Sequence, residues 1–354
     1  MRVTIFGPPL SNSGGIGTLF RYLSEEVSDE VDLTFVDTRG RAKNPIFSAF
    51  ALISAVNSAL NLRLTKKIDL AHVNFGSRGS AYRKAILIFV LRAILRIPTV
   101  AHIHSSTFDS WMRDANPVVR KVVVHCLNSV DRVFVLGANW KSVVEELGVK
   151  PFKVRTLVMG VPKITGPQQQ TWDLQTNIRI LFAGEMSERK GLPFLLEAIS
   201  EMPADKFHLT VVGAGDDVKW RNFARELGCS DSVTFLGLVD PKKVHQLLLE
   251  SHALILPSRA EGLPVSVMEA WSASRVVMTT NVGALSEYLV DGDNSIVIES
   301  QNVENIVTAL RKIENLNSAK KIARSGERTW EKYFNVAQTS QAVFSEWYQV
   351  IENR

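Results

Sequence analysis

Cysteine is scarce in this 354-residue sequence, which has only Cys126 and Cys229, far apart in the chain. Two isolated cysteines exclude the disulfide framework of a small secreted protein. Long hydrophobic runs are also missing. The longest, residues 85–91, is followed by Arg92 and is shorter than the ~20 residues that cross a bilayer. No basic-then-apolar leader precedes the strand-like residues 2–6. We expect a cytoplasmic address, either free or at the cytoplasmic face of the inner membrane.

Acidic residues are scarce in the first half. Residues 1–163 carry 22 Lys or Arg against 12 Asp or Glu, whereas the remainder carries 19 against 24. Residues 51–100 alone hold 8 basic residues and 1 acidic residue. This segregation predicts that the first half meets something anionic: a membrane, a phosphorylated acceptor or a nucleic acid. The ordinary basic surface of a protein with a high isoelectric point is an equal alternative.

Short β-branched runs alternate with helical patterns along nearly the whole chain. This alternation predicts parallel sheets covered on both faces by helices, with right-handed crossovers. The expected fold class is α/β, with two doubly wound, Rossmann-like domains at 1–165 and 178–330. The polar residues 166–177 are expected to form a linker. The helices at 331–354 are expected to pack back on the N-terminal domain.

Six strands are predicted in each domain. Those of the first are at 3–6, 33–36, 70–73, 99–103, 132–135 and 154–157. Those of the second are at 179–182, 209–212, 233–235, 253–256, 276–279 and 295–298. Ligands of such sheets bind beyond the carboxyl ends of the strands, so functional residues are expected on the loops that follow strands.

A glycine-rich loop follows the first predicted strand and contains Gly14, Gly15 and Ile16. Glycines let the backbone approach a ligand, and the N-terminus of the next helix favours an anion. The glycines are spaced more widely than in the dinucleotide-binding G-x-G-x-x-G pattern. The loop therefore indicates an anion site, with a plain strand-to-helix turn as the equal alternative.

Two adjacent cations, Arg189 and Lys190, follow the first strand of the second domain, in the sequence GEMSERKG. They stand just before a predicted helix, where the helix dipole disfavours positive charge. A guanidinium fork and an ammonium group together suit a diphosphate. The motif predicts a pyrophosphate clamp, with a solvated basic pair as the alternative.

Two carboxylates, Glu261 and Glu269, are separated by seven residues near the start of another predicted helix. Pro264 suits the first position of that helix, which places Glu261 in the loop before it and Glu269 inside it. The backbone amides of Gly262 and Leu263 are positioned to bind anionic oxygens. The alternative is that Glu261 caps the helix and Glu269 is a surface residue.

Taken together, these segments resemble the retaining glycosyltransferases of family GT4. The family's E-x7-E signature is matched by Glu261 and Glu269 in the context PS-x-x-E-G. The resemblance spans nearly the whole chain and includes the segments RKG, VVGAGDD, VTFLGLV and TTNVGALSEYLVDG. It implies the GT-B fold, in which two Rossmann-like domains face a central cleft.

The resemblance implies roles for the residues of the second domain. Glu269 would bind the ribose hydroxyls of the nucleotide, and Glu261 the hydroxyls of the donor sugar. Lys190 and Arg189 would neutralise the departing diphosphate. The remaining donor contacts are expected from loop residues, namely Gly262, Leu263, Gly184 and Leu238.

The resemblance also implies roles in the first domain. The amides of Gly14, Gly15 and Ile16 would approach the diphosphate. His104 matches the family's cleft histidine, although a strand-end histidine that only bonds a loop is an alternative. His102 is close in sequence, but no third ligand at a useful spacing supports a metal site. We expect no metal and no cofactor other than the donor.

Three positions depart from the family pattern. Glu185 replaces a frequent arginine, so Arg189 becomes the expected second cation. Ser274 replaces a glycine after the second glutamate, and Gly283 is followed by Ala284 rather than by a second glycine. These changes concern the details of the donor pocket.

The implied activity is metal-independent hexosyl transfer with retention of configuration. The donor would be a UDP-sugar, or else a GDP-sugar. The acceptor would be a glycan or a lipid-linked hydroxyl in the synthesis of cell-surface polysaccharide or lipopolysaccharide, with peripheral contact to an anionic membrane. The alternatives are a GT-B nucleotide-sugar epimerase, an NAD-linked oxidoreductase, and a nucleic-acid or partner-binding protein that uses the basic half.

Overall fold

The chain folds into two compact units. A computed structural model describes residues 1–10, 14–39, 45–166 and 177–353. The first unit comprises Met1–Gly160 and Val336–Arg354, and the second comprises Val161–Asn335.

The first unit contains a six-stranded parallel sheet in the order β2-β1-β3-β4-β5-β6. Its strands are β1 (Arg2–Gly7), β2 (Asp32–Asp37), β3 (Leu70–Phe75), β4 (Thr99–Ile103), β5 (Arg132–Val135) and β6 (Val154–Thr156). Its helices up to that strand are α1 (Gly15–Glu25), α2 (Pro45–Leu64), α3 (Gly79–Phe89), α4 (Phe108–Asp114), α5 (Pro117–Ser129) and α6 (Ala138–Glu146). A π-helical turn, Val90–Ile94, continues α3.

The second unit repeats this plan with the order β12-β11-β10-β7-β8-β9, again parallel throughout. Its strands are β7 (Ile178–Ala183), β8 (Phe207–Val212), β9 (Val233–Gly237), β10 (Ala253–Leu256), β11 (Val276–Thr280) and β12 (Ile296–Ile298). Its helices are α7 (Leu192–Ser200), α8 (Asp217–Glu226), α9 (Pro241–Glu250), α10 (Val265–Ser272), α11 (Val303–Lys312) and α12 (Leu316–Tyr333).

The predicted α/β class, with two doubly wound sheets, is confirmed, and each of the twelve predicted strands overlaps an observed one. The central strands β3 and β4 are buried along their whole length. This burial includes polar residues, since His72 and Asn74 of β3 and His102 of β4 lie in the interior with the apolar residues of the same strands. Pro264 lies at the N-cap of α10, one residue before the position that the sequence suggested, because its backbone is extended.

The helix α2 was not among the predicted helices. Its residues 47–64 are long and apolar enough to cross a membrane by length and composition, although only 11% of this window is buried. The longest unbroken apolar run, residues 85–91, therefore does not mark the helix that is long and apolar enough to cross a membrane. Ser and Asn residues interrupt the apolar character of α2 and conceal it from a search for unbroken runs.

The first unit ends at Gly160, earlier than the boundary expected at residue 165. The Val161 amide donates to the Phe334 carbonyl at 2.9 Å, and Trp330 Nε1 donates to the Val161 carbonyl at 3.0 Å. These bonds hold Val161 in the second unit. Residues 167–176 of the expected linker lie outside the described residues.

The closing helix, α13 (Val336–Glu352), belongs to the first unit. Trp347 on this helix is fully buried, and its Nε1 donates to Nδ1 of His72 on β3 at 3.1 Å. The helix α13 also contacts α1. The helices α2, α3 and α5 contact one another in series, α3 lying between the other two.

Candidate active site

The sheet order of the second unit identifies where a ligand is favoured. β7 is the first strand of the unit, and it lies between β8 and β10. The chain continues from β7 to β8 on one side and reaches β10 on the other side later, so the β7/β10 junction is a topological switch point. Ligands of doubly wound sheets bind beyond the carboxyl ends of the strands at such a point. The loop with Arg189 and Lys190 follows β7, and the loop with Glu261 follows β10.

The central contact of the candidate site joins these two loops. Lys190 Nζ donates to Glu261 Oε1 at 2.5 Å, and the two side chains are only 13% and 6% exposed. Lys190 ends a single 3₁₀ turn, Glu188–Lys190, which precedes α7. Because an ammonium has three donor hydrogens, this ion pair leaves Lys190 with donors for an anionic ligand.

Arg189 is held by the same pair of loops. Its Nη1 donates to the Ala260 carbonyl at 2.9 Å and lies 4.0 Å from Glu261 Oε2. Its Nη2 donates to Glu185 Oε2 at 3.0 Å. The acid that replaces the family's arginine therefore pairs with Arg189 and orients its guanidinium. Both terminal nitrogens of the Arg189 guanidinium thus donate hydrogen bonds within the protein.

Glu269 lies inside α10 and is almost fully buried, so it is not a surface residue. Its Oε1 lies 3.4 Å from Nε2 of His245 on α9. The helix α10 has Pro264 at its N-cap and no side-chain capping bond, so Glu261 does not cap it. The structure thus contradicts both parts of the alternative interpretation. Two buried carboxylates with polar partners are the arrangement expected of a binding site.

The backbone after Glu261 rests on the loop that follows β11. The Ala284 amide donates to the Gly262 carbonyl at 2.9 Å. Gly283 has φ of 66°, and a Cβ built there would lie 2.0 Å from the carbonyl oxygen of Glu261. Only glycine allows this close approach. Leu263 follows in the same loop and is half-buried.

Gly184 and Leu238 occupy different places at the carboxyl edge. Gly184 directly follows β7, and a Cβ there would lie 3.7 Å from Cε of Lys190, so it borders the lysine stem. Leu238 follows β9, two strands away, with its side chain 60% exposed. The structure thus places Gly184 beside the Lys190–Glu261 pair and Leu238 at a distance of two strands.

Sequence reasoning missed two polar residues at this site. His245 lies beside Glu269, and Gln301 Nε2 donates to the Arg189 carbonyl at 3.2 Å and to the Pro257 carbonyl at 2.7 Å. Gln301 therefore ties the loop after β7 to the loop after β10. Neither residue lies in a recognisable sequence motif. Their contacts with the site arise only because segments that are distant in sequence pack against each other.

The glycine-rich loop of the first unit follows β1, which lies between β2 and β3 at that sheet's own switch point. Gly14 is the N-cap of α1, and Gly15 and Ile16 form its first turn. The first amides of a helix have no acceptor within it, so this position suits an anion. Residues 11–13 of the loop lie outside the described residues.

His104 follows β4 and contacts His102, with ring centroids 3.9 Å apart and the ring planes tilted by 40°. Burial lowers the pKa of His104 to about 3, so its imidazole is neutral near pH 7. His102 Nε2 lies 3.2 Å from the Leu157 carbonyl, and the His72 ring lies 5.4 Å from the His102 ring. Although three histidines gather here, the described residues contain no group of His, Cys, Asp and Glu arranged to hold a metal.

This histidine cluster predicts a pH-dependent stability. Burial lowers the pKa of His72 to about 3 and that of His102 well below its usual value. Below about pH 6.5 the unfolded chain binds protons that the folded protein does not bind. The free energy of unfolding therefore decreases as the pH decreases. Between pH 7 and pH 6 the expected loss is about 2 kcal/mol for His72, His102 and His104 together.

Urea unfolding at a series of pH values measures this loss. His72→Asn should make the dependence on pH shallower, whereas His125→Asn, at an exposed position, should leave it unchanged. A wild-type protein whose stability rises between pH 7 and pH 6 would contradict the prediction.

Comparison with known proteins agrees with the chemistry of this site. Residues 167–329 match the family model Glycos_transf_1, glycosyl transferases group 1. Over this segment the chain is similar to the group 1 glycosyltransferases. The matched segment contains Arg189, Lys190, Glu261 and Glu269, and thus all the buried charges of the candidate site.

Two characterised relatives show the range of this similarity. D-rhamnosyltransferase WbpZ of Pseudomonas aeruginosa is 27% identical over 248 residues, covering 67% of this chain and 64% of the relative. The phosphatidylinositol N-acetylglucosaminyltransferase GPI3 subunit of Saccharomyces cerevisiae is 23% identical over 347 residues, covering 90% of this chain and 73% of the relative.

Among solved structures, Anabaena Alr3699/HepE in complex with UDP and glucose matches with a TM-score of 0.78 at 15% identity. The match covers 98% of this chain and 99% of that protein. This likeness confirms the GT-B fold that the sequence resemblance implied. At this identity the comparison supports the fold alone.

Proposed function

We propose that this protein transfers a hexosyl group from a nucleotide-diphosphate sugar, UDP-linked in the first instance, to a hydroxyl of a glycan or lipid-linked acceptor with retention of configuration. One observation carries the proposal: the buried Lys190–Glu261 pair at the switch point of the second unit. Group 1 relatives named as rhamnosyl and N-acetylglucosaminyl transferases support the reaction class.

The leaving diphosphate is the group that most needs stabilisation. As the bond between the sugar carbon and the diphosphate breaks, negative charge grows on the departing oxygen. Lys190, already positioned by Glu261, supplies a preorganised ammonium for that charge. Arg189 keeps the Ala260 carbonyl and Glu185 in place and contributes a second positive charge nearby.

The two carboxylates have separate tasks in this proposal. Glu261 both orients Lys190 and accepts hydrogen bonds from the donor sugar. Glu269, on α10, accepts hydrogen bonds from the ribose hydroxyls. His245 holds the Glu269 carboxylate in position. No carboxylate acts across the bond as in a glycosidase. The roles of Gly14, Gly15, Ile16, Leu238 and His104 stay predictions.

The setting of the reaction is also a proposal. A product in cell-surface polysaccharide or lipopolysaccharide synthesis would place the protein in the cytoplasm or at the cytoplasmic face of the inner membrane. The reaction as proposed requires no metal and no cofactor beyond the donor, because fixed cations and amides stabilise the leaving group.

A thermal-shift comparison of UDP, GDP, ADP and their sugars tests donor binding. We expect UDP and UDP-sugars to raise the melting temperature most, and Glu269→Gln to reduce that shift. Glu314→Gln is the control, since Glu314 is another glutamate with a side-chain partner, Lys206, which directly precedes β8 and lies outside the site. The absence of a shift with every nucleotide would contradict the proposal.

Product analysis tests the reaction itself. With a UDP-sugar of known anomeric configuration and a hydroxyl acceptor, the product should have the same configuration in its NMR coupling constant. Inversion would refute the retaining mechanism. Conversion of the UDP-sugar to an epimer without any acceptor would instead identify an epimerase.

A further inference from the structure

The outer side of α2 carries a row of large apolar side chains that the fold leaves exposed. They recur at helical spacing and are more than 40% exposed, namely Phe47, Phe50, Ile53, Leu60 and Leu64. On the opposite side Ala55 and Ala59 are fully buried. Exposed apolar surface of this extent on a water-soluble unit marks an interaction site.

The neighbouring helices extend this apolar surface. Tyr82, Ile86 and Phe89 lie at positions i, i+4 and i+7 of α3, and each is at least 45% exposed. Val118 and Val122 are exposed in the same way on α5. Because α3 contacts both α2 and α5, the three rows belong to one helical layer of the first unit. We call it the α2–α3–α5 surface.

The charged side chains on the three helices themselves have one sign. The helices α2, α3 and α5 and the π-helical turn after α3 contain no Asp or Glu. Exposed cations lie on these helices or at their ends, namely Arg63, Lys66, Lys67, Arg78, Arg96 and Lys121. Apolar side chains with exposed cations at their margins complement a surface that is apolar inside and anionic outside, which describes a bilayer with acidic lipids.

The geometry of α2 decides between spanning and lying on the membrane. A helix that spans a bilayer alone is surrounded by lipid, whereas α2 contacts β2 and α3 along its buried side. It also connects β2 to β3, which belong to the same sheet. Only its outer side is free, so it can enter the interface and not the full thickness of the bilayer.

We propose that the first unit docks on anionic membranes through the α2–α3–α5 surface, with Phe50 and Ile53 of α2 inserted below the headgroups. The exposed cations bind acidic lipids at the rim. This inference does not depend on the proposed transferase activity, since docking involves neither donor nor acceptor. It names a surface different from the candidate active site, all of whose buried charges lie in the second unit.

Co-sedimentation of the full chain with lipid vesicles, without nucleotide sugar, tests this proposal. We expect binding to vesicles of phosphatidylcholine with 30% phosphatidylglycerol to exceed binding to pure phosphatidylcholine by at least tenfold, since each cation near an acidic surface contributes on the order of fivefold. Phe50→Glu combined with Ile53→Glu should reduce binding to the acidic vesicles by tenfold or more.

Phe152→Glu is the matched control for the apolar contacts. Phe152 is 62% exposed and Phe50 is 63% exposed, but Phe152 lies outside the three helices. For the cations, Lys66→Glu with Lys67→Glu should weaken binding, whereas the adjacent pair Lys320→Glu with Lys321→Glu, on α12 of the second unit, should not.

Unchanged melting temperatures show that the variants fold. Equal binding to neutral and acidic vesicles, or equal losses in the Phe50/Ile53 and Phe152 variants, would overturn the proposal. So would a wild-type dimer that binds no vesicles and dissociates on Phe50→Glu in light scattering, because the surface would then join two copies of the chain. Normal vesicle binding without glycosyl transfer would refute the proposed function alone.

Discussion

Lys190→Ala is expected to lower the turnover number by roughly a hundredfold, or about 2.7 kcal/mol of transition-state stabilisation. The ammonium is held by Glu261 before the donor arrives, so its charge is preorganised where the diphosphate departs. Its loss should affect the turnover number more than the KM for the donor, because negative charge grows as the bond breaks. Initial rates with a UDP-sugar measure both constants.

Two further variants separate the loss of the cation from damage to the fold. Lys190→Ala leaves the Glu261 carboxylate buried without its partner, which itself destabilises a protein. Adding Glu261→Gln removes that buried charge, so the double variant should regain stability; its activity is not compared, because Glu261 also binds the donor sugar in the proposed function. Lys206→Ala removes another ion-paired lysine, bonded to Glu314 outside the site, and should retain activity. Near-normal turnover of Lys190→Ala would refute the role of this lysine.

Gly283→Ala is expected to lower the free energy of unfolding by about 2 to 4 kcal/mol and to abolish most activity. A Cβ at this position would lie 2.0 Å from the Glu261 carbonyl oxygen and 2.7 Å from that of Gly262. The φ of 66° adds a further cost for any residue with a side chain. Because the obstacle is backbone, the loop with Glu261 must move, and the Lys190 contact moves with it.

Gly292→Ala is a close control for this effect. Gly292 has φ of 74°, but nothing lies within 4 Å of a Cβ built there. Only the conformational cost of about 1 kcal/mol should remain, with activity retained. Urea unfolding and initial rates distinguish the two variants. Equal losses in both would show that the Glu261 loop does not depend on the close approach at Gly283.

Ser274 is an exception to the rule that only glycine readily adopts a left-handed backbone. It stands where the family has a glycine, and its φ of 54° lies in the region that favours glycine. The resemblance in sequence pointed to this position, and the structure shows that the serine adopts a left-handed backbone.

Much of the fold could be predicted because each strand and its flanking helices are encoded locally. The strand 253–256 was predicted with its observed bounds, since a short apolar run between two helices has few other interpretations. α2 was missed because Ser and Asn interrupt its apolar residues, and its exposed face could not be predicted because apolar residues look alike in a sequence whether they face a core or solvent. Its exposure depends on which neighbours cover it, and that is a property of the packed layer.

The sequence by itself determined the alternation of strands and helices and the types of residue on the loops, including the paired cations and the two glutamates. Only the tertiary structure decided that β10 lies beside β7, which joins Lys190 to a carboxylate 71 residues away. The same packing buried Glu269, placed His245 beside it and placed Gln301 between the loops that follow β7 and β10. The physical reason is that strand order follows from the burial of whole sheets and helices, whereas motifs record only neighbours along the chain.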